Sequence, residues 1–236
     1  MKKVGIVSLG CAKNLIDSES ILGMFDTPSF KITNDPKEAD FIIVNTCGFI
    51  SSSKKESINT ILEMAKYDAK LIVTGCLAER YENELKNELP EVDAFIPLKE
   101  YSSLQEEMIK ITGCSDILPF SSFRRVLSSS KYSAYLRISE GCDNFCSFCA
   151  IPFIRGRFKS RPFLEIIEEA KLLKEKGVKE ISLISQDTTN YGIDFPSKKP
   201  NVVDLLKEIE KIGFSSIRLL YLYPSEISDE LIDLIS

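Results

Sequence analysis

The amino-acid sequence predicts an α/β fold in two parts, a parallel β-sheet followed by βα units like those of a TIM-type barrel. Short β-branched runs bounded by glycine alternate with helical patterns, three of the early runs end in a cysteine, and the alternation restarts after a serine-rich stretch. Strands that alternate with helices indicate a parallel sheet with right-handed crossovers. The length of 236 residues allows one large domain or two modest ones.

In the first part, four strands alternate with four helices. Buried strands are indicated by apolar runs and helices by a 3.6-residue apolar period. Ser53 and Glu56 have the spacing of a capping box, which predicts a helix start at Ser53. The predicted strands are Val4–Leu9, Asp40–Asn45, Lys70–Thr74 and Ala94–Pro97, and the predicted helices are Asp17–Phe25, Ser53–Lys66, Leu77–Leu89 and Leu104–Ile111.

The second part begins after a segment without clean periodicity, Thr112–Ser133, which we predict to be a linker. It divides the chain into predicted domains 1–125 and 126–236. The predicted strands are Tyr135–Ile138, Glu180–Ser185 and Ile217–Tyr223, and the predicted helices are Pro162–Lys176, Val202–Ile212 and Glu226–Ile235. This is the pitch of a TIM-type barrel, of which the chain is expected to contain the first half.

Composition excludes several kinds of chemistry. There is no histidine, which rules out Ser–His–Asp triads, histidine-ligated zinc, proximal-histidine haem and imidazole acid–base catalysis. The formal charge of −5 gives no global basic field. Seven cysteines are an odd number for a disulfide framework, and no apolar run approaches the ~20 residues of a membrane span. We therefore predict a reduced, cytoplasmic protein with no membrane association.

The strongest motif is a CxxxCxxC run formed by Cys142, Cys146 and Cys149. Thiolates select zinc, copper(I) or iron–sulfur clusters, and three closely spaced cysteines can each bind one iron of a cubane cluster. No fourth cysteine follows nearby, so one iron would remain open to another ligand. The alternative is a structural zinc site with Cys114 or a carboxylate as fourth ligand.

A second possible trio consists of Cys11, Cys47 and Cys76. Each lies just past the end of a predicted strand, and the carboxyl ends of parallel strands share one edge of the sheet. We therefore expect these three cysteines to lie close together, although buried cysteines without a ligand role are also common. Cys114 is interpreted as an incidental free thiol.

Two further groups are candidates for contacts with substrate. Arg155, Arg157 and Arg161 alternate with small or apolar residues, which predicts cations on one side of an extended segment. These cations would suit a carboxylate, a phosphate or an acidic partner, or else form a solvated edge. Asp187 follows a predicted strand at the end where barrel sites lie, although a plain polar turn explains it equally well.

Four segments together resemble the radical S-adenosylmethionine methylthiotransferases, and the resemblance runs over the whole chain. Their finer features are similar to the branch of that family that modifies an aspartate of ribosomal protein S-twelve. The segments are SLGCAKNLIDSE (Ser8–Glu19), NTCGFI (Asn45–Ile50), SEGCDNFCSFCAIPFIRG (Ser139–Gly156) and SQDTTNYGID (Ser185–Asp194).

The resemblance implies a three-layer N-terminal domain and a partial barrel with two 4Fe–4S clusters and S-adenosyl-L-methionine. Cys11, Cys47 and Cys76 would bind the auxiliary cluster, and the CxxxCxxC cysteines would bind the radical cluster. Phe148 would lie along the adenine. The implied reaction adds a methylthio group and needs a sulfur donor and an electron donor such as flavodoxin or ferredoxin. The alternatives are a tRNA adenosine methylthiotransferase and a non-catalytic iron–sulfur-binding fragment.

The sequence departs from the family at two points. Members complete a six-unit barrel and end in a TRAM domain, neither of which occurs here, and their usual histidine near the end of the third barrel strand is replaced by Tyr223. We therefore expect a chain truncated within the barrel that does not turn over unaided.

Overall fold

The computed structural model describes residues 1–128 and 130–236 and divides the chain into two units, Met1–Val126 and Leu127–Ser236. The functional domains predicted above, 1–125 and 126–236, stay a prediction.

The first unit is built on five parallel strands, which confirms the predicted parallel sheet. The strands are β1 (Lys2–Ser8), β2 (Phe30–Ile32), β3 (Phe41–Thr46), β4 (Lys70–Gly75) and β5 (Ala94–Ile96). Their order across the sheet is β2-β1-β3-β4-β5. The short edge strand β2 was not predicted.

Helices cover both faces of this sheet and give the expected three layers. Adjacent residues of β3 point to opposite faces: Ile43 packs with α1 and α4, whereas Ile42 packs with α2 and α3. The helices are α1 (Ala12–Met24), α2 (Ser51–Met64), α3 (Cys76–Glu88) and α4 (Leu104–Thr112).

Two predicted helix starts are wrong. Helix α1 begins at Ala12, directly after Cys11, rather than at Asp17. Helix α2 begins at Ser51 after Ile50, and no side chain caps it. Ser53 is therefore already inside the first turn, so the predicted capping box does not form.

The predicted linker is largely part of the first unit. Ile117 is buried in the core cluster beside α4, and Arg125 is only 2% exposed. The Arg125 guanidinium lies 3.9 Å from the Glu19 carboxylate, and the Val126 N–H donates to the Glu19 carbonyl. Buried apolar and paired polar groups hold this segment in place, although its sequence shows no periodicity.

The second unit contains three parallel strands in the order β10-β9-β6 and a two-stranded antiparallel pair, β7 with β8. Helices α6, α7 and α8 follow the three parallel strands, which gives three βα units, as predicted. The last of these strands ends at Leu219, four residues before its predicted end. The elements are β6 (Ser133–Arg137), β7 (Ser139–Glu140), α5 (Ile151–Ile154), β8 (Lys159–Ser160), α6 (Phe163–Glu175), β9 (Glu180–Ile184), α7 (Val202–Glu210), β10 (Ser216–Leu219) and α8 (Asp229–Ile235).

Candidate functional site

The first cysteine trio lies at the carboxyl edge of the five-stranded sheet. Cys11 follows β1, Cys47 follows β3 and Cys76 begins α3 directly after β4. Cys47 and Cys76 are buried and Cys11 is exposed. The turn before Cys11 packs on Cys47, since a Cβ placed on Gly10 would lie 2.7 Å from the Cys47 Cβ. The topology thus brings the three predicted cysteines to one edge.

Asn14 joins the three turns that carry these cysteines. Its side-chain amide donates to the carbonyls of Leu9 and Thr46, each at 2.9 Å, and its oxygen accepts from the Cys76 Sγ at 3.4 Å. Asn14 is fully buried in α1. Sequence reasoning missed this residue. The available signal was an asparagine in a helical segment, where its side chain is disfavoured unless it finds a specific partner.

The second trio lines one cavity of about 70 Å³ in the second unit. Its lining residues are Cys142, Asn144, Phe145, Cys146, Cys149, Ile151, Pro152, Gln186 and Tyr223. Burial raises the pKa of the Cys142 thiol. The loop starts at Gly141, where φ is +73° and an added Cβ would lie 2.1 Å from the Arg157 carbonyl oxygen. Only glycine fits that approach without displacing the loop.

Polar side chains from the end of β9 face this cavity loop. Asp187 is 1% exposed and accepts hydrogen bonds from the Asn144 and Asn190 amides at 2.8 and 2.9 Å. Gln186 donates to the Glu140 carboxylate at 2.6 Å. The remaining oxygens, Asp187 Oδ1 and Gln186 Oε1, are buried without a hydrogen-bond partner. Buried acceptors without a protein partner are unusual and are normally satisfied by a water, an ion or a ligand.

Tyr223 also reaches the cavity. Its hydroxyl lies 3.1 Å from the Cys146 Sγ, and this hydrogen bond raises the pKa of Tyr223 to about 12. Near it, burial and the Asp187 charge raise the pKa of the Glu226 carboxyl.

The predicted row of cations is not gathered on one side of an extended segment. Arg155 follows α5 and pairs with Glu140 at 3.1 Å. Arg161 pairs with Glu169 at 2.7 Å. Arg157, the most exposed of the three arginines, pairs with Asp143 at 2.7 Å. Each of the three arginines thus pairs with a different carboxylate. The predicted role of these arginines toward substrate stays a prediction.

Phe148 is 86% exposed and is not among the residues that line the cavity. Its predicted place along an adenine also stays a prediction.

The donor set of the second trio fits an iron–sulfur cluster, because thiolates are the ligands that such clusters take and three of them line one cavity. Within residues 1–128 and 130–236, no three cysteine, aspartate or glutamate side chains converge on one ion position. A cubane places each thiolate on a different iron, so its ligands need to surround a cavity rather than meet at a point. The three thiols of the second trio line one such cavity.

Comparisons with known proteins assign both units. Residues 3–97 match the Uncharacterized protein family UPF0004, and residues 136–236 match the Radical SAM superfamily. The first unit therefore contains a UPF0004 domain, and the second unit contains a Radical SAM domain.

The curated relatives confirm the predicted resemblance to the methylthiotransferases. The chain is 52% identical over 251 residues to the ribosomal protein uS12 methylthiotransferase RimO of Clostridium perfringens (strain SM101 / Type A), covering 99% of this chain and 56% of the relative. It is 50% identical to RimO of Aquifex aeolicus (strain VF5), covering 99% of this chain and 52% of the relative. The chain thus spans about half the length of the curated relatives it matches.

Solved structures agree on the fold. The radical S-adenosylmethionine methyltransferase TsrM from Kitasatospora setae superposes with a TM-score of 0.64 at 13% identity, covering 100% of this chain and 57% of TsrM. The cobalamin-dependent S-adenosylmethionine radical enzyme OxsB gives a TM-score of 0.53 at 10% identity, covering 89% of this chain and 37% of OxsB.

Among the residues that the structure describes, no helix combines the length and the apolar character needed to cross a bilayer.

Proposed function

We propose that this chain binds two 4Fe–4S clusters and S-adenosyl-L-methionine and acts as a methylthiotransferase on an aspartate of ribosomal protein uS12. The carrying observation is the pair of cysteine trios, each of which the fold brings to one place. The 52% identity to RimO supports the choice of reaction. The finer assignments below belong to the same proposal.

Each trio has a distinct role in this proposal. Cys11, Cys47 and Cys76 would hold the auxiliary cluster, which would supply a site for the sulfur species. Cys142, Cys146 and Cys149 would hold the second cluster, which would supply one electron for the cleavage of S-adenosylmethionine into methionine and a 5′-deoxyadenosyl radical. A radical suits this reaction, because abstraction of hydrogen from an unactivated carbon is beyond acid–base residues and needs cofactor chemistry.

The chain's own residues organise this chemistry. Asn14 fixes the three turns of the auxiliary site, and Gly141 allows the cavity loop to approach the Arg157 carbonyl. Gln186 lines the cavity, and its unpartnered oxygen is placed to accept from the ammonium group of S-adenosylmethionine. Glu140 holds the other end of that amide, which fixes the direction of its oxygen.

Two candidate roles remain near the cavity. We propose that Phe148 stacks on the adenine, because its ring is exposed and open to contact with a ligand. Arg157 and Asp187 are retained as candidates for contact with substrate. Arg155 and Arg161 are also candidates for contact with substrate. Each of them pairs with a carboxylate of the fold, Arg155 with Glu140 and Arg161 with Glu169, and these pairs also hold the segment in position.

The partners follow from the reaction. The chain would need ribosomal protein uS12, a sulfur donor and an electron donor such as flavodoxin or ferredoxin. No membrane takes part in the proposed reaction. We place it in the cytoplasm, where thiols stay reduced and available for clusters.

Iron and sulfide content after anaerobic reconstitution tests the two-cluster proposal. We expect about eight irons per chain. Cys142→Ala and Cys76→Ala should each remove about four, and Cys114→Ala serves as the matched control that removes none. About four irons in the unaltered chain would contradict the two-cluster proposal. Stoichiometric zinc in place of iron would favour the structural zinc site.

Substrate choice is tested separately by offering uS12 and tRNA to a full-length enzyme of the family, followed by mass spectrometry, because the present chain is not expected to turn over unaided. Methylthio addition to uS12 is the expected result, and addition to tRNA alone would favour the tRNA adenosine alternative. Iron–sulfur clusters without formation of 5′-deoxyadenosine would favour a non-catalytic iron–sulfur-binding chain.

A further inference from the structure

We propose that the Tyr223 hydroxyl donates a hydrogen bond to the sulfur of Cys146 and thereby raises the reduction potential of the cluster on the second trio. The inference rests on the proposed function, because it concerns the cluster bound by Cys142, Cys146 and Cys149. It makes Tyr223 a positioning residue for electron transfer rather than a catalytic one.

The contact itself is specific. The Tyr223 Oη lies 3.1 Å from the Cys146 Sγ, within reach of a hydrogen bond to sulfur, and both residues line the same cavity. In the thiol form either atom can donate. A cluster ligand is a thiolate, which has no proton to give, so the tyrosine hydroxyl must then be the donor.

The chain after β10 is held in place for this contact. The Tyr223 N–H donates to the Thr189 hydroxyl at 2.8 Å. Next to it, the Thr188 N–H donates to the Tyr221 carbonyl at 3.1 Å, and the Thr188 hydroxyl donates to the Leu220 carbonyl. Two consecutive threonines in the turn after β9 therefore fix the backbone that carries the Tyr223 side chain.

The expected direction follows from charge. Adding an electron increases the negative charge on the cluster and its sulfur ligands, so a donor to one of those sulfurs stabilises the reduced form more than the oxidised form. Removing the donor should disfavour reduction by about tenfold in the equilibrium constant, which corresponds to 59 mV for a one-electron couple.

The test is a potentiometric titration of the reconstituted chain, followed by electron paramagnetic resonance. The signal that Cys142→Ala abolishes reports the cluster on the second trio. Tyr223→Phe removes only the hydroxyl, and Tyr221→Phe, two residues earlier, is the matched control. We expect the potential of Tyr223→Phe to be lower by about 59 mV, which is a tenfold change in the equilibrium constant, and that of Tyr221→Phe to be unchanged.

The outcomes separate the two proposals. An unaltered chain without that signal and without its four irons overturns the proposed function and this inference with it. A normal iron content with an unshifted potential in Tyr223→Phe overturns this inference alone. Equal shifts in both variants also overturn it. If Tyr223→Phe assembles no cluster, Thr189→Val, which loosens the tyrosine and keeps its hydroxyl, must lower the potential, and an unchanged value overturns the inference.

Discussion

Replacing Gly10 by alanine should disrupt the first cysteine trio through a close approach rather than through backbone strain alone. Gly10 has φ +88°, and an added Cβ would lie 2.7 Å from the Cys47 Cβ and 2.9 Å from its Sγ. Neither atom can retreat easily, because Cys47 is buried and its backbone N–H is bound by the Ser57 hydroxyl at 3.0 Å.

The magnitude has two parts. A left-handed conformation costs a residue with a Cβ roughly 1–2 kcal/mol. Forcing extra volume into packed structure adds typically about 1–3 kcal/mol. Gly113→Ala separates the two parts, since Gly113 has φ +70° at the end of α4 and no atom within 4 Å of an added Cβ. Gly10→Ala should therefore lower the free energy of unfolding by roughly 2–5 kcal/mol, against roughly 1–2 kcal/mol for Gly113→Ala.

Amide hydrogen exchange followed by mass spectrometry is a suitable assay, because it reads the opening free energy of β1 and β3 directly. Iron content after reconstitution gives the second readout, and Gly10→Ala should lose about four irons while Gly113→Ala keeps them. Equal loss of protection in the two variants would refute the close approach. Normal iron in a strongly destabilised Gly10→Ala would refute the link between this turn and the cysteine trio.

Three more predictions concern the second unit. Gly141→Ala should abolish the iron bound by the second trio, because an added Cβ would lie 2.1 Å from the Arg157 carbonyl oxygen. Gly156→Ala is the control and should retain that iron, since Gly156 has φ +78° and open space around it. Equal iron contents in the two variants would contradict the close approach at Gly141. Glu169→Gln should cost about 3 kcal/mol in the exchange of α6, because it leaves the Arg161 guanidinium without its carboxylate, and the exposed neighbour Glu168→Gln should cost nearly nothing. The backbone hydrogen bond from Asn201 lowers the pKa of Asp204 below its usual range. The stability that this bond gives α7 is therefore present at neutral pH and is lost as the pH falls through the lowered pKa. Asp204→Asn should show a flatter dependence of the urea midpoint between pH 6 and pH 2, and an unchanged dependence would contradict a role of the capping box.

The sheet and its cysteine edge could be predicted from the sequence because their signals are local. The runs of β3 and β4 are β-branched, end near glycine and carry a cysteine at the next position. The topology then brings these cysteines together, because parallel strands place their carboxyl ends at one edge of the sheet. The three-residue strand β2, with one buried residue, has too few positions to show a period, which explains why it was missed.

The polar framework of the sites could not be predicted, because each partner is distant in sequence. Asn14 is bonded to Thr46, which is 32 residues away, and Arg155 meets Glu140 across a loop. A repeated arginine pattern looks the same whether its side chains face solvent or buried carboxylates. Likewise, a Ser–x–x–Glu spacing occurs at helix starts and elsewhere, and α2 starts at Ser51 without any side-chain cap.

The two cysteine trios are held by different physical means, and this difference decides how each responds to change. The first trio sits on strand ends, with two buried thiols and one amide, that of Asn14, which bonds to all three turns. Its geometry is therefore a property of the folded sheet, and damage to it should appear as lost stability of the first unit. The second trio lies on a loop that a glycine and side chains from later strand ends hold in place. Its geometry depends on hydrogen bonds such as that of Tyr223 to Cys146. Those bonds can be removed one at a time while the apolar core of the second unit stays intact, so substitutions there should change cluster properties with little change in stability.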